Sequence, residues 1–187
     1  NLKSRNYQAE INSDLAPLAI YVEQLDWGKL TGESGQLKAS LDITDNRLAQ
    51  LDIQQFSAAN LDARGRILFS QQGMLENIFM EEFTMPGTAL TSFILERDSR
   101  SGYRLFAEGG KIDISPLTRF AGEGVHPAFS FDITAEEIKL GEGLKVSGNV
   151  VGEKQPDAQG SAILQGTVTT DGVTRFDQAS LAIGFGS

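Results

Sequence analysis

Residues 102–120 read GYRLFAEGGKIDISPLTRF. Side chains alternate across an extended chain, so Tyr103, Leu105 and Ala107 share one face and Arg104, Phe106 and Glu108 the other. Gly109 and Gly110 interrupt the run and permit a bend or bulge. Ile112 and Ile114 then alternate with Lys111 and Asp113 until Pro116 ends the strand. Nothing in the stretch has the form of a nucleophile, a metal ligand set or a phosphate loop. It reads as one rib of a sheet.

The same texture extends in both directions. Turn signals fall at Gly32 to Gly35, Asp45-Asn46, Ala59-Asn60, Gln71 to Gly73, Pro86-Gly87 and Asp98 to Gly102. Between them lie period-2 segments of about 8 to 13 residues, the mark of half-buried antiparallel strands. Leu37, Ala39, Leu41 and Ile43 share a face, as do Leu51 and Ile53. Leu61, Ala63, Ile67 and Phe69 line up against Asp62, Arg64, Arg66 and Ser70. Strict alternation sets Ile78 and Met80 against Phe79, Phe83 and Met85, and Phe93 and Leu95 against Leu90 and Ile94. The pattern returns with Phe129, Phe131 and Ile133, with Leu144, Val146 and Val150, with Leu164 and Val168, and with Leu181, Ile183 and Phe185.

Little helix is expected. Pro17 makes 14–25 a turn followed by a strand over 18–25. Single helical turns are expected at 115–120, with Ser115 as N-cap, and at 134–138, with Thr134 capping and Glu137 at N3. A strand of about 11 residues spans roughly 36 Å, longer than the usual mode. The expected fold is therefore all-β: a long-stranded, twisted antiparallel meander of about ten to twelve strands, curled into an open groove or half-barrel. It covers 1–187 as a single β-rich segment with two repeat-like stretches, 1–120 and 128–187. The AGEGVHP stretch between them is an ordinary connection inside one sheet.

Composition narrows the function classes. The net charge is -9, from 16 basic and 25 acidic residues. That opposes a nucleic-acid partner, which needs a basic stripe, and simple adsorption to an anionic membrane surface. There is no Cys, so disulfides and thiolate metal sites are excluded. No run approaches the roughly 18 apolar residues of a spanning helix. The chain opens NLKSRNYQAE without an apolar leader region. It is either not secreted, stripped of its leader, or a piece of something longer; the strand-like SLAIGFGS at the other end favours the last.

Reactive constellations are missing. His126 is the single His, beside Pro127, and no G-x-S-x-G elbow accompanies it. Glu81-Glu82 and Glu136-Glu137 are adjacent carboxylates, but strand neighbours face opposite sides and cannot converge as an acid and base must. Asp42, Thr44 and Asn46 have the spacing of a calcium loop's start without its Gly and distant Glu. One Trp and three Tyr stand against eleven Phe. Such an aromatic set suits a water-free interior better than a sugar platform. It cannot supply the two aromatic girdles of an outer-membrane barrel. No catalytic residue, metal or cofactor is assigned.

Over 61–120 the sequence resembles the periplasmic AsmA-like family, which includes TamB- and YhdP-type envelope proteins. The closing positions of the resemblance are Gly102, Tyr103, Gly110, Ile112, Asp113, Ile114, Pro116 and Leu117. The stretches 34–60 and 128–187 are similar in texture only. The resemblance implies a long twisted sheet curled into an apolar groove, in a protein anchored in the inner membrane of a Gram-negative bacterium. The N-terminal anchor would lie outside this chain, which would be one segment of the groove. It implies a non-enzymatic role: holding phospholipid acyl chains, supporting phospholipid transport between the membranes or envelope integrity, with other envelope proteins as partners. The alternative is a self-contained β-sandwich module that recognises a protein or glycan through its loops.

An apolar groove floor and a filled core share the same period, so the pattern alone does not separate them. The residues selected as groove floor are Ile53, Ile67, Phe69, Ile78, Met80, Phe93, Leu95, Leu105 and Ile112. A hydrocarbon tail on such a floor needs no polar contact, because each buried methylene contributes about 0.8 kcal/mol.

Overall fold

The computed structural model describes residues 6–22, 27–98, 102–114, 128–141, 143–154, 160–170 and 174–185. Among these the chain is all-β, without helix. The strands are β1 (Asn6–Asp14), β2 (Ile20–Val22), β3 (Trp27–Lys29), β4 (Gly35–Thr44), β5 (Arg47–Ala58), β6 (Leu61–Phe69), β7 (Leu75–Met85), β8 (Thr88–Arg97), β9 (Tyr103–Asp113), β10 (Phe129–Gly141), β11 (Leu144–Lys154), β12 (Gly160–Thr170) and β13 (Thr174–Phe185). Eleven of them form one sheet in the order β1-β4-β5-β6-β7-β8-β9-β10-β11-β12-β13. The sheet curls into an open half-barrel that does not close, with β1 and β13 as its edges. β2 and β3 form a separate small hairpin.

Several expectations need correction. The sheet is not a pure meander, because β9 and β10 are parallel, Tyr103 lying opposite Phe129 and Asp113 opposite Lys139. The two stretches of the chain therefore join in one continuous sheet, but with the second reversed in sense. The connecting residues 115–127, including the expected helical turn at 115–120, Pro116, Leu117 and His126, lie outside the described residues. Residues 134–138 are not a helical turn; they belong to β10, where cross-strand pairing on both sides outweighs a local capping signal. The strand expected over 18–25 is only β2, and 23–26 lie outside the described residues.

The alternation is corrected at bulges, each an extra residue that shifts the phase of one strand. Glu81 is inserted in β7, because Arg64 pairs with Glu82 while Gly65 pairs with Met80. Ile78, Met80, Phe83 and Met85 consequently share the inner face, where strict alternation would have split them. Thr91 does the same in β8, bringing Leu90 to the face of Phe93 and Leu95. Gly110 is the extra residue in β9, as the glycine pair suggested, and keeps Ile112 and Ile114 in phase with Leu105 and Ala107. Gln54-Gln55 in β5, Glu136-Glu137 in β10 and Asp177-Gln178 in β13 contain the same insertion. Gln178 has a positive φ of 57° at its bulge.

With the phases corrected, apolar rows run across the sheet from β1 to β12. One row pairs Ala9, Leu41, Leu51, Ile67, Ile78, Leu95, Leu105, Phe131, Gly152 and Ala162 in succession. The next runs Ile11, Ala39, Ile53, Gly65, Met80, Phe93, Ala107, Ile133, Val150 and Leu164. The outer face carries the charges. Arg66 pairs with Asp52 at 3.6 Å and Arg64 with Glu81 at 3.2 Å, and Arg104 lies 5.2 Å from the centre of the Phe106 ring. Exposed pairs of this kind contribute at most about 1 kcal/mol each. The inner rows therefore decide stability.

Two outcomes follow. Deleting Glu81 should return Phe83 and Met85 to the outer face. The expected result is a protein several kcal/mol less stable in urea melts, since each half-buried apolar side chain so displaced is worth about 1.5–3 kcal/mol at most. Gly148 and Gly166 pair directly at φ 136° and 145°, and a Cβ on either would meet the neighbouring strand's backbone. Gly148→Ala should cost about 1–3 kcal/mol or more, read as a lower urea midpoint at unchanged slope.

Candidate functional site

The inner face does not have one character along its length. Across β9 to β12 it is a closed core in which Leu105, Ile112, Ile133, Ile138, Val146, Val150 and Leu164 are all buried. Across β4 to β8 the corresponding large residues, Leu41, Leu51, Ile53, Ile67, Ile78, Met80, Phe93 and Leu95, are only half-buried, while the small Ala39 and Gly65 in the same rows are buried. Their side chains cover one another and nothing covers them fully. In the two central rows of β4 to β8 no side chain offers a hydrogen-bonding group. This face is the candidate site.

The structure places all nine selected residues on the inner face. Ile67, Ile78, Leu95 and Leu105 are successive partners in one row. Ile53, Met80 and Phe93 lie in the next, with Gly65 between Ile53 and Met80. Phe69 extends the first group towards the turn after β6. Leu105 and Ile112 differ from the other seven in being buried in the closed core. Strict alternation missed Phe83 and Met85, and the selection left out Leu41, Leu51 and Phe56. The doubled polar residues at 54–55, 81–82, 91–92 and 136–137 were the available signal. A pair of polar residues inside an alternating strand marks a bulge and a change of phase. The adjacent glutamates are such marks: Glu81 and Glu82 are both exposed, and Glu137 pairs with Lys145 at 3.0 Å on the outside.

One side of the site is walled by the β2–β3 hairpin. It leaves the sheet after β1, where Asp14 Oδ1 accepts the Ala16 N–H at 2.9 Å and the Leu15 N–H reaches Gly35 O at 2.8 Å. It then folds over the inner ends of β4 to β7. Leu15 and Trp27 form a buried cluster with Ala58 and Leu61, and Phe56, Ala63, Phe83 and Met85 pack against it. The Trp27 ring meets Phe56 edge-on at 6.1 Å, and its Nε1–H donates to Asn60 Oδ1 at 3.0 Å. Lys29 is only 1% exposed. Its ammonium donates to the carbonyls of Leu18 and Leu30, each at 3.0 Å, which ties the two limbs of the hairpin together.

The opposite lip is the row of turns at 45–46 and 70–74. Asp45 and Asn46 both have positive φ, the geometry of a tight hairpin turn, which accounts for the calcium-like spacing there without a cation. Ser70 Oγ accepts the N–H groups of Gln72 and Met74 at 3.1 and 3.2 Å. Arg47 donates to Gln71 O, and Arg97 reaches the Met74 sulfur at 3.6 Å. The lip is thus braced, while the floor between lip and hairpin stays apolar. Among the described residues no three His, Asp or Glu side chains gather into a metal-holding group. Asp177 is held below the usual carboxylate range by its hydrogen bond from Arg175, but it sits exposed on β13, at the far edge from β4 to β8.

The wall depends on Lys29. Lys29→Met keeps the aliphatic length and removes the donors, leaving two carbonyls short of a partner. A loss of about 1–3 kcal/mol is expected, together with a red shift of the emission of the single Trp as the hairpin loosens.

No family model matches the sequence, and no curated protein or solved structure shows significant similarity to it.

Proposed function

We propose that this chain is a non-enzymatic segment that holds lipid acyl chains on the inner face of β4 to β8. The observation that carries this reading is the half-buried apolar floor, five strands wide and free of side-chain hydrogen-bonding groups, between a walled side and a braced lip. Surface of this extent on an isolated protein marks an interaction site. Its lining selects for hydrocarbon, because a polar ligand would lose its water without gaining a partner. The open half-barrel agrees with the shape that the AsmA-like resemblance implies. On that basis the full-length protein is a periplasmic, inner-membrane-anchored envelope protein that supports phospholipid transport or envelope integrity, with phospholipid and other envelope proteins as partners. The sandwich alternative finds less support, since the second sheet among the described residues is only the β2–β3 hairpin.

Trp27 is the single Trp and stands in the wall of the site, so it reports directly. Fatty acids brominated along the tail should quench its emission saturably, and Ile78→Lys should weaken that binding by about tenfold or more, equivalent to roughly 1.4 kcal/mol. Absence of quenching, with no lipid found in protein prepared without detergent, counts against the reading.

A further inference from the structure

We propose that the acyl-chain site is blind: it takes one tail over β4 to β8 and stops at β9, so that this segment holds a tail rather than passing it along the sheet. The inference rests on the acyl-chain reading above and adds where the tail ends. The step is visible in both central rows. Along one, the large side chains Ile53, Met80 and Phe93 are half-buried, with only the small Ala39 and Gly65 buried among them, and they give way to Ala107, Ile133, Val150 and Leu164, which are 1, 1, 1 and 0% exposed. Along the other, half-buried Ile67, Ile78 and Leu95 meet Leu105 at 4%. Beyond that point the surface left to a ligand is that of the half-buried Phe129, Phe131, Leu140, Leu144 and Ala179, which pack on the same core.

The end wall has a structure of its own. The Phe83 and Phe93 rings stack at 6.4 Å with their planes 27° apart, Leu90 of β8 belongs to the closed core, and both rings pack against that core. The hairpin shuts the Trp27 side. What stays open is the lip and the β1 edge. From β4 to β8 there are four strand spacings, about 19 Å at roughly 4.8 Å each. One leaflet of a bilayer's hydrocarbon is about 15 Å deep, half of its roughly 30 Å core. The floor therefore matches one tail. It also fixes the direction: a headgroup set against Phe93 would be stripped of water with no partner, so the methyl end lies at β8 and the headgroup towards β1. Phe93 and Leu95 then set the length of tail accepted.

The test uses the full chain and a saturated fatty acid carrying a diazirine at its terminal carbon, with cross-links mapped by peptide mass spectrometry. Adducts concentrated between Ile78 and Leu95 are expected. Adducts on β10 to β12, at Ile133, Val150 or Leu164, would show that the tail runs on through the sheet, and would overturn the blind end while leaving acyl binding intact. Adducts only on outer-face residues such as Phe79 or Val151, or none at all, would overturn both. A series of fatty acids of increasing length, read by competition against a brominated probe at Trp27, supplies the second arm. Phe93→Ala, and the milder Phe93→Leu should the first not fold, are expected to shift the preferred tail to a longer one. An unchanged length preference in a folded variant removes Phe93 as the stop.

Discussion

The whole sheet depends on keeping one face apolar across eleven strands that are too long to alternate without error. A strand with a twist and a curl drifts out of phase with its neighbour, and a slip of one residue turns its entire apolar set to water. Each such side chain is worth about 1.5–3 kcal/mol when buried, so one mis-phased strand would offset much of a domain's net stability. The chain meets this constraint with bulges, among them five at doubled polar residues and one at Gly110. Both members of a doubled pair point outward, and the apolar series resumes in register. Bulges also bend the strands that carry them. A line of them across β5, β7, β8, β9, β10 and β13 ties the phase correction to the curl that makes a half-barrel.

From that single device come two different interiors. Over β9 to β12 the rows are buried and the face is shut. Over β4 to β8 the same rows form a floor that the β2–β3 hairpin approaches from one side, and the face stays half open. The hairpin is costly to seat there, since it takes the Lys29 ammonium out of water and repays this with two carbonyls. Such an element defines an edge to the open floor. Binding without polar contacts suits a ligand whose identity lies in its apolar length.

Much of this was legible in the sequence. The alternation of Leu61, Ala63, Ile67 and Phe69 against Asp62, Arg64 and Arg66 is what the structure shows, and so is the bulge permitted by Gly109-Gly110. The nine residues chosen as groove floor lie on the inner face, but Leu105 and Ile112 are buried in the closed core there rather than on the open floor. Phe83, Met85 and Leu90 lay across a bulge from their neighbours, and counting by twos carried them to the wrong side. Parallel pairing of β9 with β10 leaves no local signature, since both strands alternate as antiparallel ones do. The capping pattern at 134–138 was genuine but weak, worth about 1 kcal/mol, against ladders on both sides of β10. Burial was beyond reach for a different reason. Ile67 and Ile133 have the same period and chemistry, and only the curl of the sheet decides which of them is left half exposed.

One continuous apolar face is half open over β4 to β8 and closed over β9 to β12. The chain lacks cysteine, so single cysteines report accessibility without background. Ile53→Cys, Met80→Cys and Phe93→Cys sample the open part of one row, and Ala107→Cys, Ile133→Cys and Val150→Cys its continuation. In the folded protein a maleimide should label the first three readily and the last three only at the rate of unfolding. Equal labelling along the whole row would contradict the division of the face into a site and a core.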